Sequence, residues 1–468
     1  MVQSNLCLRS IELENYRCFE RLCVDLHPQM TVIVAENGQG KSSLLDAIRV
    51  GLWPFISSFD LAKSSGYSDP QNSIDIKDVR QVVDPVMGMK RQLPTTLSLD
   101  MQWQEKGQDI AVEQWTRLRI SEADRTKTRN DDRAKQLIKW ASSLQEQIRL
   151  PEGDALQLPV FGYYGTGRLW QQKRFQEQER GSKRESEKDD FYVRTFAYRH
   201  CMDPASSFKY FRDWFIWAWK SRSNMNERKS ASVEDKLRAQ TRIEVVQGAI
   251  DKVLKESTGW HTLEFSFEDQ ESLILNHSDQ GYFSVDQLSD GLRSMLAMVG
   301  DIAYRCVRLN PQLGAQAAEE AQGVILIDEV DMHLHPRWQQ TILASLQSAF
   351  PKMQFIVTTH SPQVITTVGR DNIRIIQPAE TGYQVVTPDY SPLAHESGDA
   401  LAHIMNTHAQ PPLTMQEAIR EYEQLVRDGK EGSSEARRCY EELTQQGYQF
   451  SESDLVTWRF LAQRKANR

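Results

Sequence analysis

The sequence contains few cysteines, and their spacing matches neither a metal site nor a disulfide framework. Its 468 residues include six cysteines, with no C-x-x-C pair and no histidine at a metal-like spacing from any of them. This pattern argues against a disulfide-rich secreted domain and against a zinc module. We therefore expect reduced thiols, as in a cytosolic protein.

Long hydrophobic runs and an excess of positive charge are also missing. No window approaches the roughly 18 uninterrupted apolar residues of a membrane-spanning helix, and the N-terminus has neither signal-peptide nor transit-peptide composition. We expect a soluble, cytoplasmic protein that contacts no membrane. The net charge of −8 gives no general attraction to nucleic acid. Any DNA contact would need a local basic patch, the surface of an assembly, or a partner.

A glycine-rich loop follows an apolar stretch near the N-terminus. Met30–Val34 predicts a buried strand, and the next residues read AENGQGKSSLL. Gly38 and Gly40 allow successive backbone N–H groups to turn toward a triphosphate, and the following helix presents its positive end to the same anion. The alternative is a strand-to-helix turn that binds no nucleotide.

This loop matches the Walker A pattern except that Ala35 replaces the first glycine. In that pattern the lysine reaches the β- and γ-phosphates of ATP, and the following hydroxyl binds Mg²⁺. The predicted ligands of ATP and Mg²⁺ in this loop are Asn37, Gly38, Gly40, Lys41, Ser42 and Ser43.

A second motif, GVILIDE, is typical of a Walker B strand. Val324–Ile327 predicts a buried strand that ends in two carboxylates. Asp328 can hold the magnesium together with Ser42, and Glu329 can take a proton from the attacking water. A buried strand ending in Asp-Glu can also be purely structural, but its pairing with the phosphate loop favours hydrolysis of a nucleoside triphosphate.

Two further segments indicate the kind of nucleotide-binding protein. QLSDGLRSMLAMVG places Ser289 and Gly291 at the start of an apolar helix, which is another anion-binding terminus. The alternative is an ordinary helix capped by Ser289. Farther on, FIVTTHSP predicts a strand that carries His360 to the sheet edge where nucleotide groups lie.

The motif order ENGQGKS, LSDGLR, ILIDE, DMHLHP, TTHSP resembles the ABC-type heads of the SMC, RecF and OLD group of ATPases. The N-terminal LCLRSIELENYRCFE is similar to the opening strand of that group. The resemblance implies that Ser289 and Gly291 contact the nucleotide of an opposite subunit. It also implies that Asp331 belongs to the D-loop and that His360 is the switch histidine.

The expected fold is therefore α/β: an ABC-type P-loop ATPase head with mixed sheets, a largely helical insertion and a helical C-terminal tail. Leu97–Trp103 and Ile110–Ile120 alternate like paired antiparallel strands. We predict four segments: residues 1–165 and 263–388 for the two parts of the head, 166–262 for the insertion and 389–468 for the tail.

Two segments in and just before the predicted insertion can each be interpreted in more than one way. Related heads carry a magnesium-sensing glutamine after a strand such as Leu158–Trp170; here Tyr164 or Arg168 could replace it, or the segment is a structural turn. Gln171 and Gln172 lie just beyond, in a polar stretch that predicts a solvated loop. The aromatic helix Ser207–Lys220 fits either base stacking or burial in the core or in a subunit interface.

The pair His333 and His335 beside Asp331 imitates a metal site. In heads of this group, however, HLHP opens a helix after Walker B, and Pro336 suits a first helical turn.

The last hundred residues predict one strand pair and then three amphipathic helices, Leu413–Val426, Ser434–Leu443 and Ser451–Ala466. OLD-type proteins carry a Toprim nuclease domain, which would need on the order of 100 to 200 further residues, so we expect no nuclease in this chain. The tail, from YSPLAHESGDALAHIMNTHAQPP onward, resembles PtuA-type ATPases of Septu and retron antiphage defence.

That resemblance implies a slowly hydrolysing ATPase that forms a head-to-tail dimer or a higher assembly. It also implies a PtuB-like HNH nuclease as partner, with the C-terminal helices as the docking site. Two rival functions are a RecF-like DNA-repair clamp and an ATP-binding scaffold without turnover.

Overall fold

The computed structural model describes residues 6–63, 72–86, 88–105, 108–123, 128–150, 156–168, 193–203, 207–269, 271–380, 382–407, 413 and 415–466. The predicted solvated loop with Gln171 and Gln172 lies outside these residues. The chain divides into two compact units, Met1–Met405 and Asn406–Arg468.

The strands, in chain order, are β1 (Leu6–Tyr16), β2 (Phe19–Asp25), β3 (Met30–Val34), β4 (Gln81–Asp84), β5 (Gly88–Arg91), β6 (Thr95–Glu105), β7 (Gln108–Arg119), β8 (Arg129–Asn130), β9 (Val160–Tyr164), β10 (Trp260–Ser266), β11 (Ser272–His277), β12 (Gly281–Ser284), β13 (Gly323–Ile327), β14 (Met353–Thr358), β15 (Ile373–Ala379) and β16 (Gly382–Val386).

The helices are α1 (Lys41–Ile56), α2 (Asp60–Lys63), α3 (Asp132–Gln147), α4 (Ser207–Glu227), α5 (Val233–Thr258), α6 (Asp290–Leu309), α7 (Ala317–Glu320), α8 (Pro336–Gln339), α9 (Ile342–Ala349), α10 (Pro362–Ile365), α11 (Ser397–His403), α12 (Gln416–Arg427), α13 (Ser434–Gln445) and α14 (Glu452–Ala466). In the part of the chain that the structure describes, none of the helices is both long and apolar enough to cross a membrane.

A six-stranded sheet forms the centre of the first unit, in the order β16-β15-β3-β14-β13-β9. The five strands from β15 to β9 run parallel to one another, and the edge strand β16 is antiparallel to β15. Every residue of β3, β9, β13 and β14 is buried, which explains why these strands are mainly apolar in sequence. Their carboxyl ends meet at one edge of the sheet.

A five-stranded antiparallel sheet, β2-β1-β6-β7-β8, lies beside the parallel one. The buried Gln354 of β14 links the two sheets: its Oε1 accepts from Leu8 N at 2.8 Å, and its Nε2 donates to Leu8 O at 2.8 Å and to His27 O at 3.0 Å. The predicted α/β head with mixed sheets is therefore confirmed. The two predicted antiparallel strands are present as β6 and β7.

The aromatic helix α4 belongs to the core in its described part. Phe211, Trp214 and Phe215 are fully buried, and the Trp214 ring lies 5.0 Å from that of Tyr304 on α6. These three rings have no surface for stacking on bases, so the core interpretation holds for them. The side chains of Phe208 and Lys209 lie outside the described residues.

Helix α6 contains a buried ion pair. Arg305 Nε donates to Asp301 Oδ2 at 2.7 Å, and both side chains are 1% exposed. Arg305 Nη1 also donates to the carbonyl oxygen of Ala197. Such a pair adds little net stability, but removal of one partner leaves an uncompensated buried charge and costs about 3–5 kcal/mol.

The second unit has its own small core. Residues of α12, α13 and α14 meet in an apolar cluster made of Ile419, Tyr422, Val426, Ala436, Cys439, Leu443 and Trp458. The three amphipathic helices predicted from the sequence are therefore present, with bounds within a few residues of the prediction.

His200 makes the stability of the first unit depend on pH. Burial, with the charges of Arg199 and Arg305, lowers the pKa of His200 to about 3. The unfolded chain binds this proton near pH 6.5, so folding opposes protonation and stability is lost as the pH falls below 6.5. Between pH 6.5 and pH 5 this group alone removes about 2 kcal/mol.

We therefore expect His200→Asn to reduce the fall in unfolding temperature between pH 7 and pH 5. His333→Asn is the matched control, because both histidines have left-handed backbone, with φ of 52° and 64°, and asparagine tolerates it. His333 is exposed. Equal slopes for wild type and the His200 variant in thermal unfolding would contradict the assignment.

Candidate functional site

The glycine-rich loop joins β3 to α1 in a conformation that suits glycine. Gly38 and Gly40 have φ of 82° and 93°, a region that other residues adopt at a cost. A Cβ atom at Gly40 would also lie 2.3 Å from Phe19 Cζ and 2.8 Å from Cys18 Sγ. Glycine is required at position 40 both by backbone conformation and by packing.

Lys41 is the first residue of α1, and its side chain turns back across the loop. Its Nζ donates to the carbonyl oxygens of Ala35 at 2.8 Å and of Glu36 at 3.1 Å. Burial lowers the pKa of Lys41, while the nearby carboxylates of Asp328, Glu329 and Asp331 oppose that shift. The structure thus brings the Walker A lysine and the predicted Walker B carboxylates into one electrostatic cluster.

Thr358, the last residue of β14, organises the two Walker B carboxylates. Its hydroxyl donates to Asp328 Oδ1 at 2.6 Å and accepts from the backbone N–H of Glu329 at 2.8 Å. Glu329 has a left-handed backbone, with φ of 49°. One hydroxyl therefore orients the first carboxylate and stabilises the strained residue that carries the second.

The segment after Glu329 is bonded to the loop that carries His360. Thr359 Oγ1 donates to Asp331 Oδ1 at 2.5 Å, and Ser361 Oγ donates to Gln339 Oε1 at 2.7 Å. Gln339 Nε2 in turn donates to Leu334 O at 2.9 Å. One hydrogen-bond network therefore connects the predicted D-loop to the loop that carries the predicted switch histidine.

His360 faces the same cluster. Burial lowers its pKa, and the positive charge of Lys41 lowers it further, against the opposing effect of Glu329 and its neighbours. At neutral pH the ring is uncharged, so it can donate or accept a hydrogen bond.

Ser289 and Gly291 belong to the segment that resembles the signature motif of ABC-type ATPases, and we call α6 the signature helix. Helix capping and a close backbone approach fix their positions. Ser289 is the N-cap of α6, and its hydroxyl accepts from Leu292 N at 3.5 Å. A Cβ at Gly291 would lie 2.3 Å from the carbonyl oxygen of His333. The capping role of Ser289 is therefore present, and its contact with an opposite subunit stays a prediction.

Sequence reasoning missed the part played by Arg17. Its guanidinium bonds Asp46 and Asp78, both at 2.8 Å, and donates to Ser43 Oγ at 3.3 Å. It therefore ties the N-terminal sheet to the first turns of α1. The signal available in the sequence is the NYRCF motif at the end of the opening strand.

Tyr164 does not replace the sensing glutamine. Its ring is 1% exposed, and its hydroxyl donates to Asp301 Oδ2 at 2.8 Å, inside the protein. The idea that this side chain senses nucleotide is wrong, because the hydroxyl is held in the core. The side chain of Arg168 and the residues Gln171 and Gln172 lie outside the described part of the chain.

The H-x-H pair has a structural explanation. The His335 ring caps α8 by accepting from Arg337 N at 3.2 Å, and Pro336 occupies the first turn. Within the described ranges, no group of three or more His, Cys, Asp or Glu side chains is arranged to hold a metal ion. A magnesium ion bound with ATP needs fewer protein ligands, because water and phosphate oxygens fill its remaining positions.

The residues at this edge of the sheet fit a magnesium nucleotide. The loop supplies backbone N–H groups at a helix N-terminus and an ammonium group for phosphates. Ser42 and Asp328 offer the oxygen donors that Mg²⁺ prefers. A parallel sheet with a glycine-rich loop and a carboxylate pair at its carboxyl edge defines a P-loop nucleotide-binding protein.

Comparison with known families agrees. A family model described as an AAA domain matches residues 10–278, which is more than half of the chain, and the chain belongs to this family.

Two relatives match almost the whole chain. The Retron Vc95 probable ATPase of Vibrio cholerae serotype O1 biovar El Tor is 26% identical over 91% of this chain and 84% of its own length. The Retron Ec83 probable ATPase of Escherichia coli is 27% identical over 94% of this chain and 84% of its own length.

A shorter segment is more similar to another relative. The Septu protein PtuA of Bacillus mycoides (strain KBAB4) is 44% identical over 17% of this chain and 11% of its own length. Among solved structures, an Smc head domain with an extended coiled coil has a TM-score of 0.45 at 13% identity, over 81% of this chain and 96% of that one. The sequence relatives confirm the resemblance to PtuA-type ATPases. A further segment, 25% of this chain, is 28% identical to the DNA replication and repair protein RecF of Staphylococcus epidermidis.

We expect Thr358→Val to lower the rate of Mg·ATP hydrolysis by about tenfold, because misplaced reacting groups cost rates of this order. The substitution keeps the side-chain shape and removes the hydroxyl that holds Asp328 and Glu329. Steady-state release of phosphate measures the effect.

Thr31→Val is the matched control. Thr31 is equally buried on the neighbouring strand β3, and its hydroxyl accepts from His27 N at 2.9 Å, at the opposite end of the strand. If both variants lose the same activity, general destabilisation and not the Walker B contact explains the loss.

Proposed function

We propose that this chain binds Mg·ATP at the carboxyl edge of the parallel sheet and hydrolyses it slowly. The loop from Asn37 to Ser43 holds the phosphates, and Ser42 and Asp328 hold the magnesium. The observation that carries the proposal is the charge cluster of Lys41, Asp328, Glu329, Asp331 and His360 beside a glycine-rich helix N-terminus.

Roles follow from the chemistry of each group. Lys41 offsets the charge of the β- and γ-phosphates. Glu329 would accept a proton from the attacking water, and the neutral ring of His360 would bond the γ-phosphate. Ser42 and Asp328 would hold Mg²⁺, which when bound would offset phosphate charge and polarise the phosphoryl group.

We further propose a head-to-tail dimer, or a higher assembly of dimers, that closes around two ATP molecules. Ser289 and Gly291 would complete the site of the opposite subunit, with Asp331 at the interface. In support, Ser289 is exposed at the N-terminus of α6, a 20-residue helix, and such termini bind anions. Hydrolysis at Glu329 would then release the dimer.

The biological role that we propose is control of a partner HNH nuclease in bacterial antiphage defence. The support is that two relatives named retron ATPases match more than nine-tenths of this chain, and a segment resembles the Septu protein PtuA. The nuclease activity would belong to the partner.

Two alternatives predict different behaviour. A RecF-like DNA clamp requires DNA binding by this chain alone, and that binding should weaken steeply with salt. An ATP-binding scaffold without turnover requires that Glu329→Gln changes nothing after ATP has bound.

The first test is the solution mass by light scattering, with and without Mg·ATP. We expect the assembly to grow with ATP, to be trapped by Glu329→Gln, and not to form in Lys41→Ala, because the γ-phosphate supplies part of the association free energy. Glu319→Gln, at the exposed Lys252–Glu319 pair, is the control. A fixed mass in all four proteins would contradict ATP-driven assembly.

The tail offers an apolar face for the partner. On α14, Val456 and Phe460 are 64% and 56% exposed and lie one helical turn apart on the same side. Large exposed apolar side chains grouped in this way mark interaction surfaces. We propose that this face docks the nuclease.

We expect the double variant Val456→Glu/Phe460→Glu to lose co-purification with a co-expressed HNH nuclease and to keep wild-type ATP turnover. Val233→Glu, at an 84% exposed valine in the first unit, should leave both unchanged. Retention of the nuclease by the double variant would exclude this face as the docking site.

A further inference from the structure

Tyr164 forms one hydrogen bond with the Walker B segment and another with the helix that begins after Ser289. It is the last residue of β9 and pairs in parallel register with Ile327 of β13. Its carbonyl oxygen accepts from the backbone N–H of Asp328 at 2.8 Å. Its hydroxyl donates to Asp301 Oδ2, also at 2.8 Å.

Asp301 lies on the signature helix α6, and its surroundings leave it little freedom. Arg305 donates to both carboxylate oxygens of Asp301, at 2.7 Å and 3.3 Å, and to the carbonyl oxygen of Ala197. Tyr164, Asp301 and Arg305 are each about 1% exposed. Because water does not reach these groups, a displaced helix could not exchange their hydrogen bonds for bonds to solvent.

The helix between Ser289 and Asp301 is continuous. The 12 intervening steps correspond to about 18 Å along the helix axis. Both ends of this stretch are closely packed: a Cβ at Gly291 would meet the backbone of His333, and one at Gly300 would lie 2.4 Å from Phe211 Cζ. A shift at the Ser289 end is therefore carried to Asp301 by the whole helix.

We propose that Tyr164 is a positioning residue that couples the position of the signature helix to the Walker B carboxylates of the same chain. The path runs from Ser289 through α6 to Asp301, from Asp301 to the Tyr164 hydroxyl, and from the Tyr164 carbonyl to Asp328. The regulatory consequence rests on the proposed function: nucleotide held by Ser289 in one site would adjust Asp328 and Glu329 in the other, and the two sites would hydrolyse ATP cooperatively.

The coupling can be tested in the full chain without nucleotide. Tyr164→Phe removes only the hydroxyl that bonds Asp301, and it is the decisive variant. Asp301→Asn removes the accepting carboxylate but also leaves the buried charge of Arg305 uncompensated. Tyr198→Phe is the matched control, because Tyr198 is also fully buried and its hydroxyl donates to Pro159 O at 2.8 Å, just before β9. We expect amide hydrogen exchange of residues 328–330 to become at least about threefold faster in the first two variants and to stay unchanged in Tyr198→Phe.

Turnover supplies a second readout. We expect Tyr164→Phe to lower kcat by about tenfold, to leave the KM for ATP within about twofold and to bring the Hill coefficient toward one. The double variant Tyr164→Phe/Asp301→Asn should be no slower than the slower single variant, because both changes break the same connection.

Unchanged exchange at residues 328–330 in Tyr164→Phe, or equal acceleration in Tyr198→Phe, would overturn the coupling. Faster exchange in Tyr164→Phe and Asp301→Asn, together with no ATP hydrolysis by the wild type, would leave the coupling in place and overturn the proposed function instead.

Discussion

The parallel register of β3, β14, β13 and β9 is the constraint on which the remaining site depends. Because parallel strands end at the same edge of a sheet, this register places the residues after four separate strands side by side. Lys41 follows β3, Asp328 follows β13, and His360 follows β14. Lys41 lies about three hundred residues before the other two groups in the chain, and the sheet brings all three within electrostatic reach.

Burial of this sheet also explains why polar side chains at its ends are so fully bonded. A polar group in the core costs free energy unless it has a hydrogen-bond partner. Gln354, Thr358 and Tyr164 each satisfy this requirement by joining two elements, and each thereby fixes a relative position. The hydrogen bonds that these buried polar side chains require also hold the nucleotide-binding groups in place.

Backbone conformation sets a second limit on the site. Gly38 and Gly40 take a left-handed conformation at no steric cost, whereas Glu329 takes one despite its side chain. The hydroxyl of Thr358 and the hydrogen bond from Met332 N to Glu329 O, at 3.0 Å, stabilise that strained turn. The chain therefore turns directly after β13, at the residues that carry the two carboxylates.

Much of the fold could be predicted from local sequence. Mainly apolar runs identified β3, β13 and β14, because a strand covered on both faces carries apolar residues on both. The spacing of glycine and lysine identified the phosphate loop, and the pair of carboxylates identified its partner strand. Binding of phosphate and magnesium requires these residue types at fixed positions within a short segment. The three tail helices followed from apolar residues repeating at the helical period.

Only the tertiary structure decided the direction in which ambiguous side chains point. Tyr164 could have faced nucleotide or core, and it faces Asp301, which is 137 residues away. The aromatic helix could have served bases or the core, and Phe211, Trp214 and Phe215 pack inside. Arg17 and Thr358 lie inside the NYRCF and TTHSP motifs, but their roles depend on partners that are distant in the chain. Local patterns thus determined elements and chemistry, and long-range packing determined which side chains meet.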